Sequence, residues 1–178
     1  MKTSINTVQE TERLRIREFT SEDSEFIIKL LNTEGWLKYI GERNVKTPEQ
    51  AIRYLESGPL KSYADHGYGL WMVEMKSDSA PVGMCGILKR NYLPNPDIGF
   101  AFLPEFNGSG YAFEAAQATI NYAKDVLKKP VIDAITLEDN TRSINLLEKI
   151  GMKFIKTIRV PGDNDELLLF SNGNGQSI

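Results

Sequence analysis

The run Asp97-Ile98-Gly99-Phe100-Ala101-Phe102-Leu103, closed by Pro104 and followed shortly by Gly108-Ser109-Gly110, constrains the fold of this chain more than any other segment. A short apolar run between prolines reads as a strand, and its internal glycine suggests a bulge or a close approach. From Tyr111 onward, Ala112, Ala116, Ile120, Ala123 and Leu127 recur at helical spacing until Pro130 stops the pattern. The unit is therefore strand, glycine turn, helix. Unpaired N–H groups and the positive end of the helix dipole converge at such a turn, and glycines let the backbone approach an anion without a Cβ in the way. A phosphate-binding P-loop would need Gly-Lys-Ser/Thr, which is absent, and a dinucleotide fingerprint wants a small residue where Phe113 stands. A nucleotide-binding α/β domain is disfavoured on both counts.

The rest of the chain supplies the partners of this unit. Residues 14–19 alternate apolar with charged, the period of a strand with one face buried, and Thr20 to Asp23 offer caps for a helix carrying Phe26, Ile27, Leu30 and Leu31. A linker over residues 36–45 can line a substrate pocket, although aromatic packing is the favoured account of Trp36 and Tyr39. A second helix begins at Thr47-Pro48-Glu49 and stops at Gly58-Pro59. Residues 68–75 and 82–88 form a hairpin around a polar turn, 131–137 a fifth strand, 141–150 a helix closed by Gly151, and 154–160 with 167–170 a final hairpin. The order is strand, two helices, three strands, helix, strand, helix, two strands, a mixed α/β protein without internal repeats.

A length of 178 residues suits one domain, 1–178, with its core at about 10–170 and a small, polar, flexible tail at 171–178. Hydrophobic content of 41% with 25% charged residues predicts a packed core. A formal net charge of −3 without a dense Lys/Arg run argues against nucleic acid as a partner. One cysteine, Cys85, and one histidine, His66, exclude an internal disulfide and leave no credible metal constellation. Cys85 reads as a small buried hydrophobe rather than a nucleophile, and His66 as an exposed loop residue rather than a base. No stretch approaches the ~20 apolar residues of a membrane span and the N-terminus lacks the apolar core of a signal peptide, so the cytoplasm is the default location.

Residues 135–152, Ile-Thr-Leu-Glu-Asp-Asn-Thr-Arg-Ser-Ile-Asn-Leu-Leu-Glu-Lys-Ile-Gly-Met, make the pattern specific. This segment after the glycine turn, with the opening strand Glu12-Arg13-Leu14-Arg15-Ile16-Arg17, resembles the GNAT superfamily of N-acetyltransferases, and most closely its ribosomal-protein N-terminal (Rim-type) branch. The resemblance spans roughly residues 10–170. It implies a mixed, mostly antiparallel central sheet with a bulged, splayed strand and helices on both faces. It also implies acetyl-CoA as co-substrate, with the pyrophosphate on Asn107, Gly108, Ser109, Gly110, Tyr111 and Ala112. Asn107 stands where relatives carry Arg, Gln or a bulky aromatic and Ser109 where Lys is common, so the turn itself has lost a cation. Phe102 and Leu103 correspond to the backbone that hydrogen-bonds the pantetheine. Asn140 corresponds to an asparagine that contacts the pantetheine arm, and by position alone it is also a helix N-cap.

Acetyl transfer to an amine needs a neutral nucleophile, a polarised thioester carbonyl and a proton for the departing thiolate. Many relatives donate that proton from a tyrosine where this chain has Leu147. In the Rim-type branch a serine three residues after the asparagine takes the role, which implies Ser143; position alone makes it equally a first-turn helix hydroxyl. Asp97, opening the cofactor strand, is the candidate base, with Glu138 as runner-up, although a solvated strand-end carboxylate is the plainer account of both. An α-amino group of pKa near ~8 is partly neutral at physiological pH and asks little of such a base. The expected reaction is direct attack by a primary amine in a ternary complex. The acceptor is a protein N-terminus, an amino acid, a polyamine or an aminoglycoside. The alternative is a catalytically weak coenzyme-A-binding sensor, to which Leu147 and Asn107 lend support. Edge strands at the final hairpin offer a surface for a homodimer.

Overall fold

The computed structural model describes residues 5–173. Eight strands form one sheet in the order β1-β2-β3-β4-β5-β6-β8-β7. They are β1 (Thr7–Glu10), β2 (Leu14–Arg17), β3 (Leu70–Met75), β4 (Pro81–Leu88), β5 (Asp97–Phe102), β6 (Asp133–Thr136), β7 (Lys153–Arg159) and β8 (Glu166–Ser171). Every neighbouring pair is antiparallel except β5 with β6. Among the described residues six α-helices accompany them: α1 (Ser24–Leu31), α2 (Glu34–Tyr39), α3 (Pro48–Leu55), α4 (Lys61–His66), α5 (Tyr111–Asp125) and α6 (Thr141–Lys149).

The central strands are apolar on both sides because both sides are covered, and the side-chain alternation sorts them. Trp71, Val73, Cys85, Ile87 and Ile98 pack with Ala115, Ala116, Ile120 and Ala123 of α5 and Leu147 of α6. Met72, Met84 and Leu103 face the other way, against Ile27 and Leu30 of α1, Trp36 of α2 and Ala51 and Leu55 of α3. The expected mixed sheet with helices on both faces is the observed architecture.

Helix starts follow the capping chemistry in the sequence. Thr20 and Asp23 form a capping box on the short turn before α1, and Thr47 with Gln50 forms another on α3, with Pro48 in its first turn. Four features differ from expectation. β1 is an additional strand, and α2 gives the expected linker a helical turn capped by Thr33. The second helix does not end at Gly58-Pro59. A wider π-type turn over Glu56–Leu60 absorbs the proline, which has no N–H to donate, and carries the chain into α4. His66 therefore closes a helix, exposed, before Gly67 in the left-handed region at φ 76°. The charged face of β2 is not solvated either: Arg17 is buried, donating to Glu74 and twice to Asp23, and Glu74 also accepts from Arg15.

Residues 171–173, expected to belong to a flexible tail, are part of the fold. Ser171 ends β8, and Asn172 exchanges two hydrogen bonds with Ile132, accepting from its N–H at 2.7 Å and donating its own N–H at 3.1 Å. Residues 174–178 lie outside the described residues.

Candidate active site

β5 and β6 pair only at Asp97 and Asp133, where the Asp133 N–H donates to the Pro96 carbonyl at 2.9 Å, and then diverge. The expected splay is present. The expected bulge is not in the β4–β5 pair, whose register runs unbroken from Gly83 opposite Phe102 to Leu88 opposite Asp97; a shift falls between Val73 and Glu74 on β3 instead. Gly99 serves close packing, since a Cβ there would stand 2.9 Å from Leu88 Cδ1.

The unbroken register decides which backbone groups the splay frees. In an antiparallel ladder alternate residues direct both N–H and C=O to the same neighbour. Leu103 N–H donates to Val82 O at 2.9 Å, so residues 103, 101, 99 and 97 address β4 and residues 98, 100 and 102 address β6. Past the Asp97–Asp133 bridge, Phe100 and Phe102 have no strand partner. Phe102 thus presents backbone groups to the gap. Leu103 does not: its N–H is engaged with β4 and its side chain, 2% exposed, is packed in the core under α1 and α3. Phe100 faces the gap beside Phe102, a placement that hairpin register would have pointed to.

The gap widens into a cavity of about 1050 Å³. β6 and the segment after it line one wall with Ala134 to Leu137, then Asn140 and Ser143; β5 lines the other with Asp97 to Phe102. Asn107 and Ala112 border the same space, whereas Gly108, Ser109, Gly110 and Tyr111 form the adjoining turn outside its lining. Gly108 (φ 82°) and Gly110 (φ 80°) are both left-handed, which favours glycine at each. Gly110 is the N-cap of α5 and supplies no side chain, so the first-turn N–H groups of that helix carry no side-chain cap. Asn140 Oδ1 accepts from the Ser143 N–H at 3.2 Å, so the asparagine caps α6 while bordering the cavity.

Asp97 is 1% exposed, not the solvated strand-end group its position suggested. Arg90 Nε donates to both its oxygens, at 3.1 and 3.0 Å, and Arg90 Nη1 to the Tyr92 hydroxyl at 3.2 Å. Burial pushes the Asp97 carboxyl up to about 6, against the pull of Arg90. Glu138 is exposed and outside the cavity lining. Cys85 is fully buried, hydrogen-bonded with Thr119 Oγ1 at 3.3 Å, and burial pushes its thiol up to about 12. Trp36 is both things the linker suggested: 6% exposed with Nε1 donating to the Gly41 carbonyl, and part of the cavity wall with Tyr39. Among the described residues no group of three or more His, Cys, Asp or Glu is placed to hold a metal ion, and no helix is long and apolar enough to cross a membrane.

A family model described as an acetyltransferase (GNAT) domain matches residues 13–153. The chain belongs to the GNAT acetyltransferase family. It is similar to an uncharacterized N-acetyltransferase of Bacillus subtilis, YoaA, with 27% identity over 82% of each chain. A GNAT-family acetyltransferase from Bacillus anthracis superposes with a TM-score of 0.75 at 27% identity, over 91% of this chain and 95% of that one. The fold is also that of RimL, a ribosomal alpha-N-protein acetyltransferase solved in complex with coenzyme A, with a TM-score of 0.79 at 12% identity over 97% and 100% of the two chains. The GNAT co-substrate is acetyl-CoA. The uncapped, doubly left-handed turn and the unpaired groups of Phe100 and Phe102 are donors and acceptors suited to its pyrophosphate and its amide-bearing arm.

Proposed function

We propose that this GNAT acetyltransferase uses acetyl-CoA to acetylate a primary amine by direct attack in a ternary complex. The observation that carries the reading is the continuous path from the unpaired backbone of Phe100 and Phe102 to the uncapped start of α5. Bound there, acetyl-CoA would supply the activated thioester. Phe100 and Phe102 would hold the pantetheine through N–H and C=O groups, with Asn140 on the opposite wall. Gly108, Gly110 and the N–H groups of Tyr111 and Ala112 would receive the pyrophosphate. Direct attack is favoured over an acyl-enzyme because Cys85, the chain's one thiol, is buried, protonated and away from solvent.

At the acceptor end, Asp97, its carboxyl raised to about 6 and oriented by Arg90, is suited to take a proton from the acceptor's ammonium, so that the neutral amine attacks the thioester. Ser143 Oγ is the candidate donor to the leaving thiolate. The acceptor is a protein N-terminus, a polyamine, an amino acid or an aminoglycoside. Thiol release from acetyl-CoA over a panel of these amines tests the reading. Release with one class is expected; a chain that binds coenzyme A yet releases no thiol above background with any class is a sensor instead. With the accepted amine in hand, Ser143→Ala should lower kcat about 100-fold, the lower end of general-acid contributions, with little change in the KM for acetyl-CoA. An unchanged kcat would remove Ser143 from the mechanism.

A further inference from the structure

The glycine turn, residues 107–112, carries no cation in its own sequence. The structure brings one from β2. Arg13, immediately before that strand, donates through Nη1 to the Ser109 carbonyl at 2.9 Å and through Nε to Glu114 Oε2 at 2.7 Å. Its guanidinium carbon lies 4.4 Å from the centre of the Tyr111 ring. Glu114 is held in turn, its Oε1 accepting from the Thr11 hydroxyl at 2.6 Å and from the Arg13 N–H at 2.9 Å. Nη2 remains without a partner among the described residues and lies against Gly110, 3.4 Å from where a Cβ would stand. The Arg13 side chain is 40% exposed and that of Glu114 only 17%, so the open edge of the pair is the cation.

We propose that Arg13 is the cation of the coenzyme pyrophosphate site, with Nη2 donating to a phosphate oxygen seated on the turn. The proposal rests on the acetyl-CoA reading above. A guanidinium suits the task because its fixed fork can keep two donors on the protein and turn a third to the ligand. Stacking on Tyr111 and the bond to Glu114 order the side chain beforehand, so little conformational freedom is lost when the anion arrives. Glu114 offsets part of the charge, but Nη2 stands beside Gly110, within reach of an anion seated on the turn.

Calorimetric titration of the wild type, Arg13→Gln and Glu114→Gln with coenzyme A and 3′-dephospho-coenzyme A, and an NMR titration with pantetheine, test this. Arg13→Gln is expected to weaken both phosphate-bearing compounds roughly ten- to hundredfold, the loss of one charge-assisted hydrogen bond, and to leave pantetheine unchanged. Glu114→Gln, which keeps Arg13 and removes the opposing charge, should bind coenzyme A at least as tightly as the wild type. Equal affinity of Arg13→Gln and wild type overturns the proposal, as does an equal loss for pantetheine or a loss confined to coenzyme A. If Arg13→Gln fails to fold, Glu114→Gln decides alone: a tenfold weaker complex means that the pair only braces the turn. A wild type that binds neither phosphate-bearing compound refutes the acetyl-CoA reading itself, a result distinct from all of these.

Discussion

Asp97 combines two opposing influences, and their balance sets its chemistry. Burial raises its carboxyl to about 6, while Arg90, bonded to both oxygens, favours the charge. As a base it must be ionised, so kcat is expected to rise with pH through about 6 and level off above it. Arg90→Gln removes the opposing influence, and the rising limb should move to higher pH; a limb that stays in place would separate Asp97 from proton transfer. The stability sign runs the other way. A carboxyl raised in the folded state favours the protonated protein, a contribution present below the unfolded value near 3.8 and lost as pH rises through about 6. The position of Asp97 at the start of a strand was legible in the sequence. Its burial was not, because that depends on Arg90 returning across the loop between β4 and β5, a contact that no local pattern records. Arg13 is a similar case: it was quoted as part of a strand motif, but its reach to Ser109 and Glu114 depends on how β2 and α5 pack.

At the scale of elements, strand β5, the glycine turn and helix α5 were legible because each depends on local chemistry: an apolar run, two glycines and helical spacing. The short helices α2 and α4 were not, since pieces of six residues are stabilised by what they pack on rather than by their own propensity. Pro59 carried a stop signal that the wider turn at Glu56–Leu60 overrode. Gly99 was compatible with a bulge or a close approach, and only the register distinguishes them. The turn before α5 carries its own prediction. Gly110→Glu introduces a side chain at φ 80°, in the left-handed region, and brings a carboxylate to the proposed pyrophosphate position. Coenzyme A binding, measured by calorimetry, is expected to fall below detection while the far-ultraviolet circular dichroism stays unchanged; undiminished affinity would move the site elsewhere.

The molecule as a whole depends on a sheet with no free face at its centre, and this explains what alternation in β2 failed to convey. Arg15 and Arg17 looked like the solvated side of a strand, yet Arg17 and Glu74 are 7% and 3% exposed and join β2, β3 and the turn before α1 through one ion network. Removing one member of such a network leaves the others buried with less compensation. Glu74→Ala is expected to cost about 3 kcal/mol, near the lower end for breaking a buried pair because Asp23 still binds Arg17, and denaturant unfolding measures it. A change under 0.5 kcal/mol would mean that water replaces the carboxylate. The membership of the fold was legible in the order of its motifs; the polar interior was not, because it needs residues 57 and 59 positions apart in sequence.

The two walls of the cleft hang from one bridge, Asp97 with Asp133, reinforced by Asn95 on the Asp133 carboxylate and by Asn172 on Ile132. Mechanically this is the pivot of a pair of tongs. Asp97, the proposed base, sits at the pivot, while Phe102 and Leu137 stand at the tips. Any change of angle at that bridge would be largest at Phe102 and Leu137 and smallest at the buried carboxylate and its arginine.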